Sequence, residues 1–258
     1  MKQSKLKENA ISISEKILNA KKNNQYSNNP FQHIVIDDFL PKDIIEGLYN
    51  NFPNEESNAW GRTNDADIEI KGRTMWESEF DIPDHVVDSV RILNSSLVLK
   101  AIGELFEVPK LVPDPYFSGG GLNITPRGGL LDVHVDGNYH DASGLNRRIN
   151  VLIYLNKDWE KNWGGEFGLY DVTGDNLVKS IPPLFNRLVI FETHDYSYHG
   201  LPDKLNFPKG EYRKSLILYY YTKDKRPSSQ VDVDAPHSAL WKKRNGLDKR
   251  GSKTRDFN

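Results

Sequence analysis

The stretch Leu130-Leu131-Asp132-Val133-His134-Val135-Asp136 constrains this chain more than any other. Polar and apolar residues alternate along it, and Gly128-Gly129 before it and Gly137-Asn138 after it read as turns. This is the pattern of a β-strand with two different faces. Side chains on a strand alternate sides with a period of two, so His134 and Asp136 project from the same face. An imidazole and a carboxylate side by side are two ligands of a facial metal site. Such a site needs one more histidine, from a distant strand that folds alongside. The chain is therefore expected to form a sheet that brings remote segments together.

The pattern along the rest of the chain agrees. From residue 111 onward, short β-rich runs at 120–125, 130–135, 147–156, 165–171, 187–192 and 212–221 are separated by turns, which predicts an antiparallel sandwich or barrel. Before that point helices dominate. Leu6, Ala10, Ile13, Ile17 and Ala20 recur at helical spacing. Ile34-Val35-Ile36 is a short strand, and Pro41 suits the first turn of a helix that runs to about Phe52. Val86, Val87, Val90, Leu93, Leu97, Ile102, Leu105 and Phe106 predict one or two packing helices, broken near Asn94-Ser95-Ser96. Residues 54–73 carry only weak strand signals around Ile68-Glu69-Ile70. The segment 54–80, with Trp60, Arg62, Arg73 and Trp76, reads as a candidate lid. The organisation expected is a polar helix and linker over 1–29, a single domain over 30–225 with its β core at about 111–222, and a basic tail over 226–258. The end from Trp241 to Asn258 reads as solvated or frayed.

Composition narrows the function classes. The 258 residues, 37% of them hydrophobic, suffice for a sizeable core. A formal net charge of −2 gives no reason to expect a nucleic-acid or anionic membrane partner. No run is long and apolar enough to span a bilayer, and Met1-Lys2-Gln3-Ser4-Lys5 leads into no apolar signal region. Cysteine is absent, which excludes disulfides, thiolate metal sites and a cysteine nucleophile. A cytoplasmic location is expected.

The third ligand has several candidates among the seven histidines. His140 lies in the loop just after Asp136, while His194 and His199 follow the strand Asn186-Arg187-Leu188-Val189-Ile190-Phe191. His199, followed by Gly200-Leu201-Pro202, is the better placed. Two histidines and a carboxylate with other positions open is an arrangement suited to non-haem Fe(II). Downstream, Arg213-Lys214-Ser215-Leu216-Ile217-Leu218-Tyr219-Tyr220-Tyr221 is a strand on which Arg213 and Ser215 face the same way. An arginine fork there is suited to capture of a carboxylate.

His134-Val135-Asp136, then His199, then Arg213 resembles the Fe(II)- and 2-oxoglutarate-dependent oxygenases, in particular their prolyl-hydroxylase-like branch. The segments 147–159, Gly164-Gly165-Glu166-Phe167 and 183–191 resemble, in consistent order, the family's intervening strands, so the resemblance spans roughly residues 115–222. It implies a mainly β fold with flanking helices, a double-stranded β-helix of the jelly-roll or cupin-like kind, with packing helices N-terminal to it. It implies His134, Asp136 and His199 as the iron ligands and catalytic centre. Arg213 would pair with the far carboxylate of 2-oxoglutarate, with Ser215 and Tyr154 as further donors to it. Where some relatives carry a tyrosine upstream of the first histidine, this chain has Asn123 in Gly121-Leu122-Asn123-Ile124-Thr125. Asn123, Asn138, His140 and His194 are candidates for the substrate region, which Gly119-Gly120-Gly121 and the 137–146 loop border.

The cofactors implied are Fe(II), 2-oxoglutarate and O2, with ascorbate as an optional reductant. The reaction implied is hydroxylation of an unactivated C–H bond of a prolyl residue, amino acid or small metabolite, with release of succinate and CO2. An aspartate at position 136 favours hydroxylation over halogenation, because halogenating relatives have a small residue there. The partner expected is a small molecule or a peptide, with no nucleic acid and no membrane. Two alternatives come from other classes. One is a catalytically silent jelly-roll binding or sensing module. The other is a cupin-like metalloenzyme independent of 2-oxoglutarate, in which Arg213 has no task.

Overall fold

Residues 2–242 are described by the computed structural model; the part of the expected basic tail over 243–258 lies outside the described residues. In chain order the elements are α1 (Lys2–Leu18), β1 (Tyr26–Ser27), β2 (His33–Ile36), α2 (Lys42–Asn50), β3 (Trp60–Asp65), β4 (Glu69–Thr74), α3 (Asp84–Leu93), α4 (Ser96–Leu105), β5 (Val112–Pro113), β6 (Gly121–Thr125), β7 (Leu131–Val135), β8 (Asn146–Tyr154), β9 (Phe167–Tyr170), β10 (Leu177–Ile181), β11 (Leu188–Glu192), β12 (His199–Leu201), β13 (Arg213–Thr222) and β14 (Leu240–Trp241). The strands form one antiparallel, curled sheet in the order β1-β2-β11-β8-β13-β6-β4-β7-β12-β9-β10, with β3 on β4, β5 on β13 and β14 on β7. This is the double-stranded β-helix expected, with four helices packed outside it.

Alternation explains how the sheet serves two layers at once. On β8, Ile149, Val151 and Ile153 join the outer core with residues of all four helices, such as Ile17, Leu48, Val86 and Ile102. The residues between them turn inward, where Leu152 and Tyr154 meet Phe31, Phe167, Leu169, Val189 and Phe191. A one-residue slip of β8 would exchange the two sets, so its register is strongly specified. The break between α3 and α4 falls where it was expected. The Ser95 hydroxyl accepts the Val98 amide at 3.4 Å and starts the second helix afresh.

Three features depart from the sequence reading. Residues 60–74 are no loosely attached segment: β4 is an integral strand, paired with β6 through Gly72↔Ile124 and Arg73↔Asn123 and with β7 through Glu69↔Leu131. The N-terminal helix is part of the domain, since Ala10, Ile13, Ile17 and Ala20 are buried in the shared core. Residues 226–242, read as the start of a tail, form a strap across the jelly roll. Its last strand adds to β7 through Leu240↔Val135 and Trp241↔His134, so Trp241 is no frayed end. Basic and polar composition hid this strap, because its anchors are scattered single residues rather than a periodic apolar set. Among the described residues no helix is long and apolar enough to cross a membrane.

Candidate metal centre and anion pocket

The pairing of β7 with β12 puts His134 directly opposite His199. That close approach relies on Gly200, where a Cβ would lie 2.8 Å from the Asp132 carbonyl oxygen. The two imidazole centroids are 4.4 Å apart. Asp136 follows one pleat later, with Oδ1 3.5 Å from His134 Nε2 and Oδ2 3.4 Å from His199 Nε2. One ligand atom from each of the three lies within 4.8 Å of the others, and this is the only such cluster of metal-ligating groups among the described residues.

Backbone oxygens set the tautomers. His134 Nδ1 lies 2.8 Å from the Asp132 carbonyl, and His199 Nδ1 lies 2.8 Å from the Ser197 carbonyl. A carbonyl only accepts, so each Nδ1 carries the proton and donates it, which leaves Nε2 as a lone pair aimed at the centre. Burial pushes the His199 imidazole down, against the pull of Asp136. Burial also opposes ionisation of Asp136, but the Arg147 guanidinium beside it outweighs this and holds that carboxyl well below the usual range. A neutral imidazole and an ionised carboxylate are the protonation states a divalent cation requires.

Each ligand is braced. Asn150 Nδ2 donates to Asp136 Oδ2 at 2.6 Å, and Arg147 Nη2 forms an ion pair with the same oxygen at 3.1 Å. Trp241 lies over His134, with centroids 4.6 Å apart and planes tilted by 33°. Phe191 and Phe167 pack against His199 at 4.8 and 5.4 Å. These braces went unpredicted, although part of the signal was present. Counting back in twos from Tyr154 reaches Leu152 and Asn150 on the inner face. Arg147 breaks that count because the β13–β8 ladder shifts register between Tyr220 and Tyr221, and a bulge flips parity.

Beside the triad lies a second polar group. Arg213 is 5% exposed, and its Nε donates to the Gly165 carbonyl at 2.8 Å. Gly165 adopts φ +85°, and a Cβ there would come 3.1 Å from Arg213 Cδ, so glycine is what lets the arginine lie flat. The guanidinium carbon sits 4.8 Å from the centroid of the Tyr154 ring, and Ser215 pairs with Tyr154 across the β13–β8 ladder. Arg213 Nη2, Ser215 Oγ and Tyr154 Oη are all buried without a hydrogen-bond partner. Burial raises the Tyr154 hydroxyl above its ordinary range, so it remains a donor. Three orphaned buried donors on paired strands suit a multiply accepting anion, since unpaired buried polar atoms are rare. Tyr154 shares its apolar cluster with Phe167 and Phe191, the rings that touch His199, so pocket and triad adjoin.

Of the remaining candidates, Asn123 borders the anion site and the other three have partners elsewhere. Asn123 is buried, opposite Ser215 and Arg73, and donates to the Gly121 carbonyl. Asn138 is taken up by the strap, donating to the Ala235 carbonyl and accepting from the His237 amide. His140 is 2% exposed; its Nδ1 accepts the Ala142 and Ser143 amides, and its Nε2–H donates to Asp114 at 2.8 Å. His194 packs edge-on to Phe31, and burial together with Arg226 takes its pKa down to about 4.

Comparison with known proteins agrees with this geometry. Residues 120–221 match the model of the 2OG-Fe(II) oxygenase superfamily. A prolyl 3-hydroxylase OGFOD1 from Mus musculus is 35% identical over 71 residues, 26% of this chain and 13% of the mouse protein. Its Xenopus laevis counterpart is 31% identical over 106 residues, 38% of this chain and 20% of that protein. The chain thus matches only a fifth or less of the length of these relatives. In fold it is similar to a prolyl hydroxylase from Trichoplax adhaerens, solved with a hypoxia-inducible-factor peptide fragment, at TM-score 0.55 and 19% identity over 86% of this chain and 94% of that one. A Pseudomonas putida prolyl-4-hydroxylase gives TM-score 0.55 at 16% identity, over 82% of this chain and 100% of that one. The segment that matches the 2OG-Fe(II) oxygenase superfamily, residues 120–221, is the jelly-roll stretch that carries His134, Asp136, His199 and Arg213.

Proposed function

We propose that this protein is an Fe(II)- and 2-oxoglutarate-dependent hydroxylase acting on a prolyl residue of a peptide or protein. The observation that carries the reading is the orphaned donor trio of Arg213, Ser215 and Tyr154 beside a preset His134–Asp136–His199 triad. An isolated metal triad suits many chemistries. A triad joined to a buried carboxylate receptor suits one in which the metal and a dicarboxylate bind together. His134 Nε2, His199 Nε2 and an Asp136 oxygen would hold iron, and Arg213, with Ser215 and Tyr154, would hold the far carboxylate of 2-oxoglutarate. Bound there, Fe(II), 2-oxoglutarate and O2 supply the oxidant that hydroxylates a nearby C–H bond, with succinate and CO2 as co-products. The chain's own work is to orient these groups and exclude water. The apolar wall of Phe167, Leu169 and Phe191 keeps the pocket dry and strengthens each charge-assisted bond within it. A prolyl substrate is supported by the names of the relatives above.

The test is anaerobic addition of Fe(II) and then 2-oxoglutarate, following the visible charge-transfer absorption of the chelate. The band should appear only with both components, vanish in His199→Ala and require far more 2-oxoglutarate in Arg213→Ala. Turnover with prolyl peptides, read as succinate formed per hydroxylated residue, then identifies the substrate. A wild-type protein that gives no band is not this enzyme, and the silent jelly-roll module takes its place.

A further inference from the structure

The polar groups around Asp136 are more elaborate than a ligand pair needs. Arg147 is half-buried and its guanidinium carbon lies 3.5 Å from the Tyr219 ring centroid, a stacked geometry that fixes the plane of the fork. Its Nε donates to Asn150 Oδ1 at 3.0 Å, and this orients the Asn150 amide so that Nδ2 faces Asp136 Oδ2 at 2.6 Å. Arg147 Nη2 then closes on the same Oδ2 at 3.1 Å. Behind it, the Arg147 carbonyl is held by Arg226 Nη2 at 2.8 Å. Two residues of β8 thus converge on one oxygen of the carboxylate that follows β7, and Tyr219 of β13 backs one of them.

We propose that Arg147 is a positioning residue for the metal site. With Asn150 it holds Asp136 Oδ2, the oxygen that lies 3.4 Å from His199 Nε2, and so favours Oδ1, which carries neither of these contacts and lies 3.5 Å from His134 Nε2, as the oxygen given to the ion. The inference rests on the reading of His134, Asp136 and His199 as metal ligands. Its consequence is geometric: a carboxylate held by one oxygen takes one coordination position, and a carboxylate released from Arg147 rotates and takes two. The site would then lose a position that small ligands need. A purely structural Arg147, stacked on Tyr219 for packing, would change stability and leave the ion's surroundings as they are.

Anaerobic Co(II) titration of the full chain separates the two. Cobalt reports both affinity and, through its visible d–d bands, coordination number. The variants are Arg147→Met, which keeps the length and loses the fork, Arg147→Lys, which keeps the charge, and Asn150→Ala, which removes the other clamp on Oδ2. We expect Arg147→Met to bind Co(II) about 10–100-fold more weakly, with shifted and altered d–d bands. Arg147→Lys should regain most of the affinity, and Asn150→Ala should move the bands in the same sense as Arg147→Met. Wild-type affinity and an unchanged spectrum in both Arg147→Met and Asn150→Ala would overturn the proposal, as would tighter binding by Arg147→Met. If Arg147→Met does not fold by circular dichroism, Asn150→Ala and Arg147→Lys decide the matter. Failure of the wild type itself to bind Co(II), or undiminished binding by His199→Ala, would overturn the reading of the triad and this proposal with it.

Discussion

The three unpartnered donors on the inner face set a conflict between folding and binding at the scale of single side chains. Hiding a polar atom without a partner costs about 1–3 kcal/mol. Tyr154 and Ser215 therefore weigh against the empty fold and favour the filled one. Tyr154→Phe and Ser215→Ala should leave the thermal stability of the metal-free protein unchanged or raise it. Each should weaken 2-oxoglutarate binding to the Fe(II) form by roughly 2–10-fold, the worth of one neutral hydrogen bond. Paired melting curves and chelate titrations check this, and variants that lose stability without losing affinity would contradict it. Residues of this kind were legible in the sequence, because strand periodicity assigns faces: His134 with Asp136, and Arg213 with Ser215. What could not be read was which inward residue supports which. Asn150 and Arg147 stand three apart in sequence yet face one carboxylate, and only the bulge opposite Tyr220 and Tyr221 makes that so.

Among the elements, the strap over 226–242 and the loop that leads from β11 to β12 behave as one unit. Asp195 binds the strap through its Oδ2, which accepts the Asp232 and Val233 amides, and through Oδ1, which pairs with Arg226 at 2.8 Å and His237 at 3.2 Å. Next to it His194 is held neutral: burial, with Arg226 adding to it, takes its pKa from 6.5 to about 4. The folded form resists a proton that the unfolded chain accepts near pH 6.5. This contribution to stability is therefore full above pH 6.5, falls as the pH drops from 6.5 towards 4, and is constant below that. Urea midpoints measured at pH 7 and pH 4.5 should fall less for His194→Asn than for the wild type. Equal slopes would mean that His194 is not the group responsible. The long periodic helices and the core strands were readable from apolar spacing, and the breaks at Pro41, Pro83 and Ser95 mark their starts. The short strands β1, β5, β10, β12 and β14, and the hairpin β3–β4, were not. They carry two to six residues each, and partners far away in the chain, rather than local pattern, decide that they pair.

At the scale of the whole molecule, a bound divalent ion ties together two paired strands that lie far apart in the chain. A ligand that binds only the folded form adds RT ln(1 + [L]/Kd), about 2.7 kcal/mol at a hundredfold excess over Kd. For a chain of this size that corresponds to a rise in Tm of roughly 5–10 °C. Scanning calorimetry with and without Co(II) or Fe(II) under nitrogen should show it for the wild type and for Arg213→Ala, and not for His134→Ala.

The direct pairing of His134 with His199 has one more consequence, for the order of events in folding. The two strands meet only after β8, β9, β10 and β11 have been threaded between them in the chain, and β11 itself must find β2 from the other end, register Val189↔Val35. Contacts of such long range are late and slow to form, because loop closure is costly before they are made. The helices α3 and α4 close over short distances and belong to the early steps. A half-folded chain can therefore own His134 and Asp136 as neighbours and still lack any competent centre, so the capacity to hold an ion waits on the pairing of β7 with β12. The metal site doubles as a mark of that step: a molecule that binds the ion tightly has, by that fact, closed the long loop between these two strands.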